Sequence, residues 1–176
     1  MLEMKKKIDG RMISVMGLLI AMMVVLSQIL GFEVQFLKIT FTFVPELIMG
    51  LLFGPLWTGI GAAIADVIGM MLFPKAAFFI GFTINAFIGG LVYGFFFYKK
   101  EVTLLRAFLC TLTNTIIISL ILTPLWLSIM YNVPLNSWAI WAPRLMKISV
   151  MLPLETVMLY LVGIALPYRS WIKRFA

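Results

Sequence analysis

Three ionisable residues, Arg144, Lys147 and Glu155, stand in the otherwise apolar stretch WAPRLMKISVMLPLETVMLYLVG at 141–163. At about 100° per residue of an α-helix, Arg144, Met151 and Glu155 fall within roughly 40° of one another, with Lys147 about 60° away. One stripe then carries two cations near its start and a carboxylate three turns deeper. Arg144 and Glu155 lie about 16 Å apart along the axis at ~1.5 Å per residue, too far to pair directly. Ionisable groups inside hydrocarbon are costly and face a cavity or a partner. The stripe therefore reads as one wall of a slot for a long ligand that is anionic at its outer end. Arg is suited to bidentate carboxylate recognition. A buried carboxylate accepts two parallel N–H bonds from an amidine-like edge, as a 2-aminopyrimidinone presents.

Two more polar residues interrupt apolar stretches. Asp66 stands among Gly59, Gly61, Ala62, Ala63, Ala65 and Gly69. It lies about 10 Å from the Pro74 end of its helix at ~1.5 Å per residue. Asn85 follows Phe78 and Phe82 and precedes Gly89 at the spacing of one helix side. Asp66, Asn85, Arg144, Lys147 and Glu155 come from three helices and share the outer half of the molecule. Phe82, Lys75 in the turn after Pro74, and Trp138 in the outer loop 132–142 complete the candidate substrate-binding set. Each has a plainer reading. Asp66 or Glu155 pairs with Arg144 or Lys147; Asp66 bonds a neighbouring backbone; Phe82 is core or lipid-facing; Trp138 is an interfacial anchor.

Other chemistry is excluded by what is missing. The sequence has no His and one cysteine, Cys110, so a Cys/His metal centre, a His-based triad and an internal disulfide are out. No GxxxxGK[ST] stretch occurs, so ATP is not bound through a P-loop. The carboxylates lack a nucleophile or metal constellation, which argues against an enzyme and for no cofactor.

The positioning elements follow from composition. The 176 residues are 63% hydrophobic and 12% charged, with mean hydropathy +1.10. That is an integral membrane protein, whose partner is the lipid bilayer. The expected fold is all-α, a single membrane domain over 1–176, with helices over 12–30, 44–53, 56–73, 77–98, 103–131 and 143–168. The second helix is too short to cross a full bilayer alone. Between the first two, FEVQFLKITFTF at 32–43 alternates apolar and polar, which predicts a short extracellular hairpin, either a lid or an ordinary loop. Gly17 and Ala21 form a small-xxx-small pair that permits close helix approach.

Of the 14 Lys and Arg residues, Lys38, Lys75, Arg144 and Lys147 fall outside or in the outer half. The others, Lys5, Lys6, Lys7, Arg11, Lys99, Lys100, Arg106, Arg169, Lys173 and Arg174, fall on one side. The positive-inside rule makes that side cytoplasmic, with both termini inside. The net charge of +7 thus reflects topology, not nucleic-acid binding.

Four segments carry a family resemblance: ITFTFVPELIMGLLFGP at 39–55, GAAIADVIGMMLFP at 61–74, GFTINAFIGGLVYGFFFY at 81–98 and PRLMKISVMLPLETVMLYL at 143–161. The chain resembles an S component of an energy-coupling factor (ECF) vitamin transporter, most closely the folate-specific one. The resemblance implies a six-helix protein in a bacterial cell membrane. It would capture folate from outside and deliver it inward by docking to a transmembrane coupling subunit and two ATPases, which hydrolyse the ATP. With folate as the ligand, depth and side-chain chemistry assign the pterin edge to Glu155, or failing that Asp66, and the glutamate carboxylates to Arg144 and Lys147. The first helix of the family carries an AxxxA motif for the coupling subunit. Here Ala21 matches and Gly17 departs. The family's outer loops act as gates, which places Phe36 and Lys38 in one gate and Pro74 in the other. An S component for another vitamin such as riboflavin, and a non-transport membrane assembly protein, are the alternatives.

Overall fold

Apolar runs bounded by Gly, Pro and charged residues fold as helices throughout. A computed structural model describes residues 9–34, 37–74 and 78–167, except the side chains of 32–38. The first helix is α1, Gly10–Val24, which continues into a π-helical turn over Val25–Ile29. Its inward stripe is Met12, Met16, Leu19 and Met23, all buried, at the spacing of one helix face. That stripe packs against α2, Phe43–Phe53, and α3, Pro55–Leu72. The outward face, including Ile13, Leu18 and Met22, is exposed apolar surface.

The period-two stretch forms two short antiparallel strands, β1 (Phe32–Val34) and β2 (Leu37–Ile39). Their register pairs Phe32 with Ile39, Glu33 with Lys38 and Val34 with Leu37. The alternation at 40–43 is not strand. The Thr40 and Thr42 hydroxyls meet at 3.2 Å, and α2 begins at Phe43. Pro45 sits in that first turn, where a missing N–H costs nothing.

α2 and α3 meet at Gly54, whose φ of 85° is open to glycine without strain. α4, Ile80–Phe97, then runs against both. A Cβ at Gly94 would overlap the Pro55 Cα, so the α2–α3 corner and α4 approach backbone to backbone.

The next helix runs from Leu104 to Tyr131 but is not one regular helix. It comprises α5 (Leu104–Asn114), a π-helical segment (Thr115–Leu122) and α6 (Thr123–Tyr131). Pro124 stands where the wide turn gives way to α6, and Asn132 ends α6 in the left-handed conformation. The last helix, α7, spans Trp138–Ala165. It starts before the expected position 143, because Pro143 does not open it. Ser137 is extended and the Ile140 N–H reaches the Ser137 carbonyl, so the first turn forms ahead of the proline. It ends before 168 because Leu166, preceding Pro167, is held extended at ψ 133°. The fourth helix likewise starts at Ile80 and not at 77, after an extended Phe79. Positions 75–77 lie outside the described residues.

Among the described residues, five helices are long and apolar enough to cross a membrane: Gly10–Ile29, Pro55–Leu72, Ile80–Phe97, Leu104–Tyr131 and Trp138–Ala165. α2 is the shorter apolar helix. At ~1.5 Å per residue it spans only about half of a bilayer core.

Candidate functional site

All the helices, and the turn after β2, contribute to one cavity of about 560 Å³. That volume lies within the range of roughly 300–1,000 Å³ usual for small-molecule sites. α3 supplies Asp66 and Met70; α4 supplies Phe82, Asn85 and Tyr93, with Phe79 just ahead of it; α7 supplies Lys147, Met151 and Glu155. Thr42 and Glu46 enter from the start of α2, and Ser27 from the π turn of the first helix. Thr115, Ile118 and Ser119 enter from the long π-helical segment. Both π segments thus face the cavity, where the wider turn re-aims side chains that a regular helix would turn away.

The α7 stripe behaves differently at its two ends. Glu155 reaches the buried Tyr93, whose hydroxyl donates to the Glu155 Oε1. Tyr93 is held in turn by stacking on Phe97 at 6.4 Å. A carboxylate has about four acceptor positions, so this bond leaves most of Glu155 available. Lys147 lies on the same wall, about 12 Å nearer the start of α7 at ~1.5 Å per residue. Arg144 is not among the residues lining the cavity. It is 5% exposed and its Nη1 donates to the Ser119 carbonyl at 3.1 Å. Its Nε has no hydrogen-bond partner among the described residues.

The two remaining polar candidates are built into helix contacts while still facing the cavity. Asp66 Oδ2 accepts from the Thr83 hydroxyl at 2.8 Å, tying α3 to α4. Asn85 donates through Nδ2 to Thr123 Oγ1 at 3.1 Å and accepts at Oδ1 from Trp126 Nε1 at 3.0 Å. This amide bonds α4 to α6 and retains one further donor and one further acceptor position. Phe82 packs edge-on against Phe79 at 5.9 Å, and Phe79 meets Trp126 at 5.9 Å.

Trp138, at the start of α7, is 71% exposed and does not line the cavity. Lys75 and Phe36 lie outside the described residues, as does the Lys38 side chain. Pro74 is exposed after the end of α3. Gly17 and Ala21 are exposed on the outer face of α1, and a Cβ at Gly17 would meet nothing within 4 Å.

Glu46, Tyr93, Thr83 and Trp126 are among the cavity and support residues that sequence reasoning misses. Glu46 carried a readable signal, being a carboxylate inside an apolar helix. The others look like ordinary membrane-helix residues until their partners are seen.

A family model described as "ECF transporter, substrate-specific component" matches residues 11–167. The folate transporter FolT of Clostridium novyi (strain NT) is 36% identical over 145 residues, 82% of this chain and 83% of its own. The folate transporter FolT of Leuconostoc mesenteroides subsp. mesenteroides is 32% identical over 159 residues, 88% of this chain and 85% of its own. A crystal structure of FolT bound with folic acid superposes with a TM-score of 0.87 at 50% identity, covering 93% of this chain and 97% of the other.

Proposed function

The chain belongs to the substrate-specific (S) components of ECF transporters, and on that premise we propose that it captures folate from outside a bacterial cell and hands it inward. The observation that carries the choice of vitamin is the 50% identity, over nearly both full chains, to a FolT bound with folic acid. The cavity chemistry supports it. Glu155, braced by Tyr93, takes the N–H edge of the pterin, with Asp66 as the other carboxylate within reach of the cavity. Lys147 takes the glutamate end, and Phe82 and Asn85 form the wall between. S components are non-catalytic. The ATP is hydrolysed by two ATPase subunits joined to a transmembrane coupling subunit, and the open α1 face at Gly17 and Ala21 is where that subunit docks.

The chain crosses the membrane in six passes, α2 being the short one, with both termini in the cytoplasm. Lys and Arg outside the apolar helices then lie mainly inside. The loops that follow the first and the third pass gate the outer mouth, with Trp138 beside it.

Equilibrium binding to the purified protein tests the reading. Folic acid should bind and riboflavin, which has no carboxylate for Lys147, should not displace it. Binding of riboflavin in place of folic acid would move the protein to another vitamin. Binding of neither, with no small molecule co-purifying, would favour an assembly role.

A further inference from the structure

Arg144 presents a buried cation behind the cavity wall instead of in it. Its bond to the Ser119 carbonyl has a cause in the backbone. In the π-helical segment each N–H bonds the carbonyl five residues back, and the Thr123 N–H does reach the Ile118 carbonyl. The next donor in that series belongs to residue 124 and would reach Ser119. Residue 124 is proline and has no N–H. The Ser119 carbonyl therefore loses its helical donor, in a segment where an unmet backbone group is costly. Arg144 Nη1 takes that place at 3.1 Å, from a different helix. Ser119 itself lines the cavity, with Thr115 and Ile118 from the same segment.

We propose that Arg144 is a positioning residue that replaces the hydrogen bond removed by Pro124, and so holds the wide-turn segment 115–122 in its cavity-forming register. It acts on the ligand through that segment and not by contact with a carboxylate. The inference uses the folate reading only for its probe. Wild-type binding of folic acid tests the reading alone, while the comparisons below test Arg144.

The experiment uses Arg144→Met, Pro124→Ala and the double variant. Each is assayed for thermal stability without ligand and for binding of folic acid and pteroic acid, which lacks the glutamate. Arg144→Met should lower the thermal midpoint and weaken both ligands about equally, by roughly tenfold, as expected for an unmet buried polar group. The Pro124→Ala change restores a backbone N–H at that position. In a π register residue 124 then serves Ser119, and in an α register residue 123 does. Adding Arg144→Met to Pro124→Ala should therefore cost less than about threefold, the signature of coupled sites. A loss confined to folic acid would overturn the proposal and make Arg144 a carboxylate contact. An equal loss in both backgrounds would overturn it too. Should Arg144→Met alone fail to fold, a folded, ligand-binding double variant supports the proposal, and an unfolded one overturns it.

Discussion

Between α4 and the α2–α3 corner, contact passes through backbone: a Cβ at Gly94 would meet Pro55, and one at Gly90 would lie 2.5 Å from the Thr58 carbonyl oxygen. Between the stretch formed by the π-helical segment and α6, and its neighbours α4 and α7, contact passes through polar side chains. Asn85 bridges to Thr123 and Trp126, and Arg144 reaches the Ser119 carbonyl. The first seam has no slack, and its side of the cavity is a rigid wall. The second seam includes a proline and eight residues of widened helix, and specific side-chain hydrogen bonds cross it. Without a hydrophobic drive between helices in lipid, these are the two available means of association, close packing of small residues and polar bonds across the interface. The cavity-facing charges of α7, Lys147 and Glu155, stand beside the second seam.

The largest expected effect tests the rigid side. Gly94→Ala adds one methyl that would overlap the Pro55 Cα and lie 2.7 Å from the Gly54 carbonyl carbon. Backbone on both sides cannot rotate clear, so stability should fall by about 3 kcal/mol or more. The thermal midpoint of purified protein measures it, and an unchanged value would show that the seam has slack after all. Next comes Glu155→Gln. It keeps the shape and the Tyr93 contact but removes the charge, so folic acid affinity should fall roughly ten- to a hundredfold, as for one charged hydrogen bond. The thermal midpoint should hold. Equal loss of affinity and stability would move Glu155 from ligand to scaffold. Lys147→Met should weaken folic acid by about fivefold and leave pteroic acid unchanged, since a partly exposed cation contributes on the order of 1 kcal/mol. An identical loss for both ligands would remove Lys147 from the carboxylate end.

The same contrast explains what the sequence made legible. Helices and the hairpin were readable because they follow periodicity and because lipid leaves few alternatives for the backbone. Glu155, Lys147, Asn85, Asp66 and Phe82 were readable as cavity residues, because polar groups in apolar helices must face something and Phe82 shares a helix side with Asn85. Arg144 obeyed the same rule and faces a carbonyl. Nothing in its spacing distinguishes that outcome, which depends on a register change and a proline on the preceding helix. The start of α7 was misplaced for a related reason: Pro143 looks like a helix opener, yet Ser137 and the Ile140 N–H begin the turn before it. Tyr93 stayed hidden because a tyrosine among Phe and Gly in a membrane helix carries no positional signal until its partner across the cavity is known.

Asp66 is where the two kinds of wall are hardest to separate, and its substitution should have the smallest effect. It lines the cavity, as Glu155 does, but its Oδ2 already accepts from Thr83 on α4. Its helix lies in the glycine-packed half. Asp66→Asn preserves an oxygen acceptor for Thr83 and the side-chain volume, while removing the charge that a ligand N–H edge would feel. If α3 and α4 serve as scaffold and α7 reads the ligand, folic acid affinity should change less than about threefold, well below the loss for Glu155→Gln. A loss as large as that at Glu155 would instead assign the pterin edge to Asp66. The rigid wall would then be the recognising one, and the polar seam beside α7 would serve only the carboxylate end.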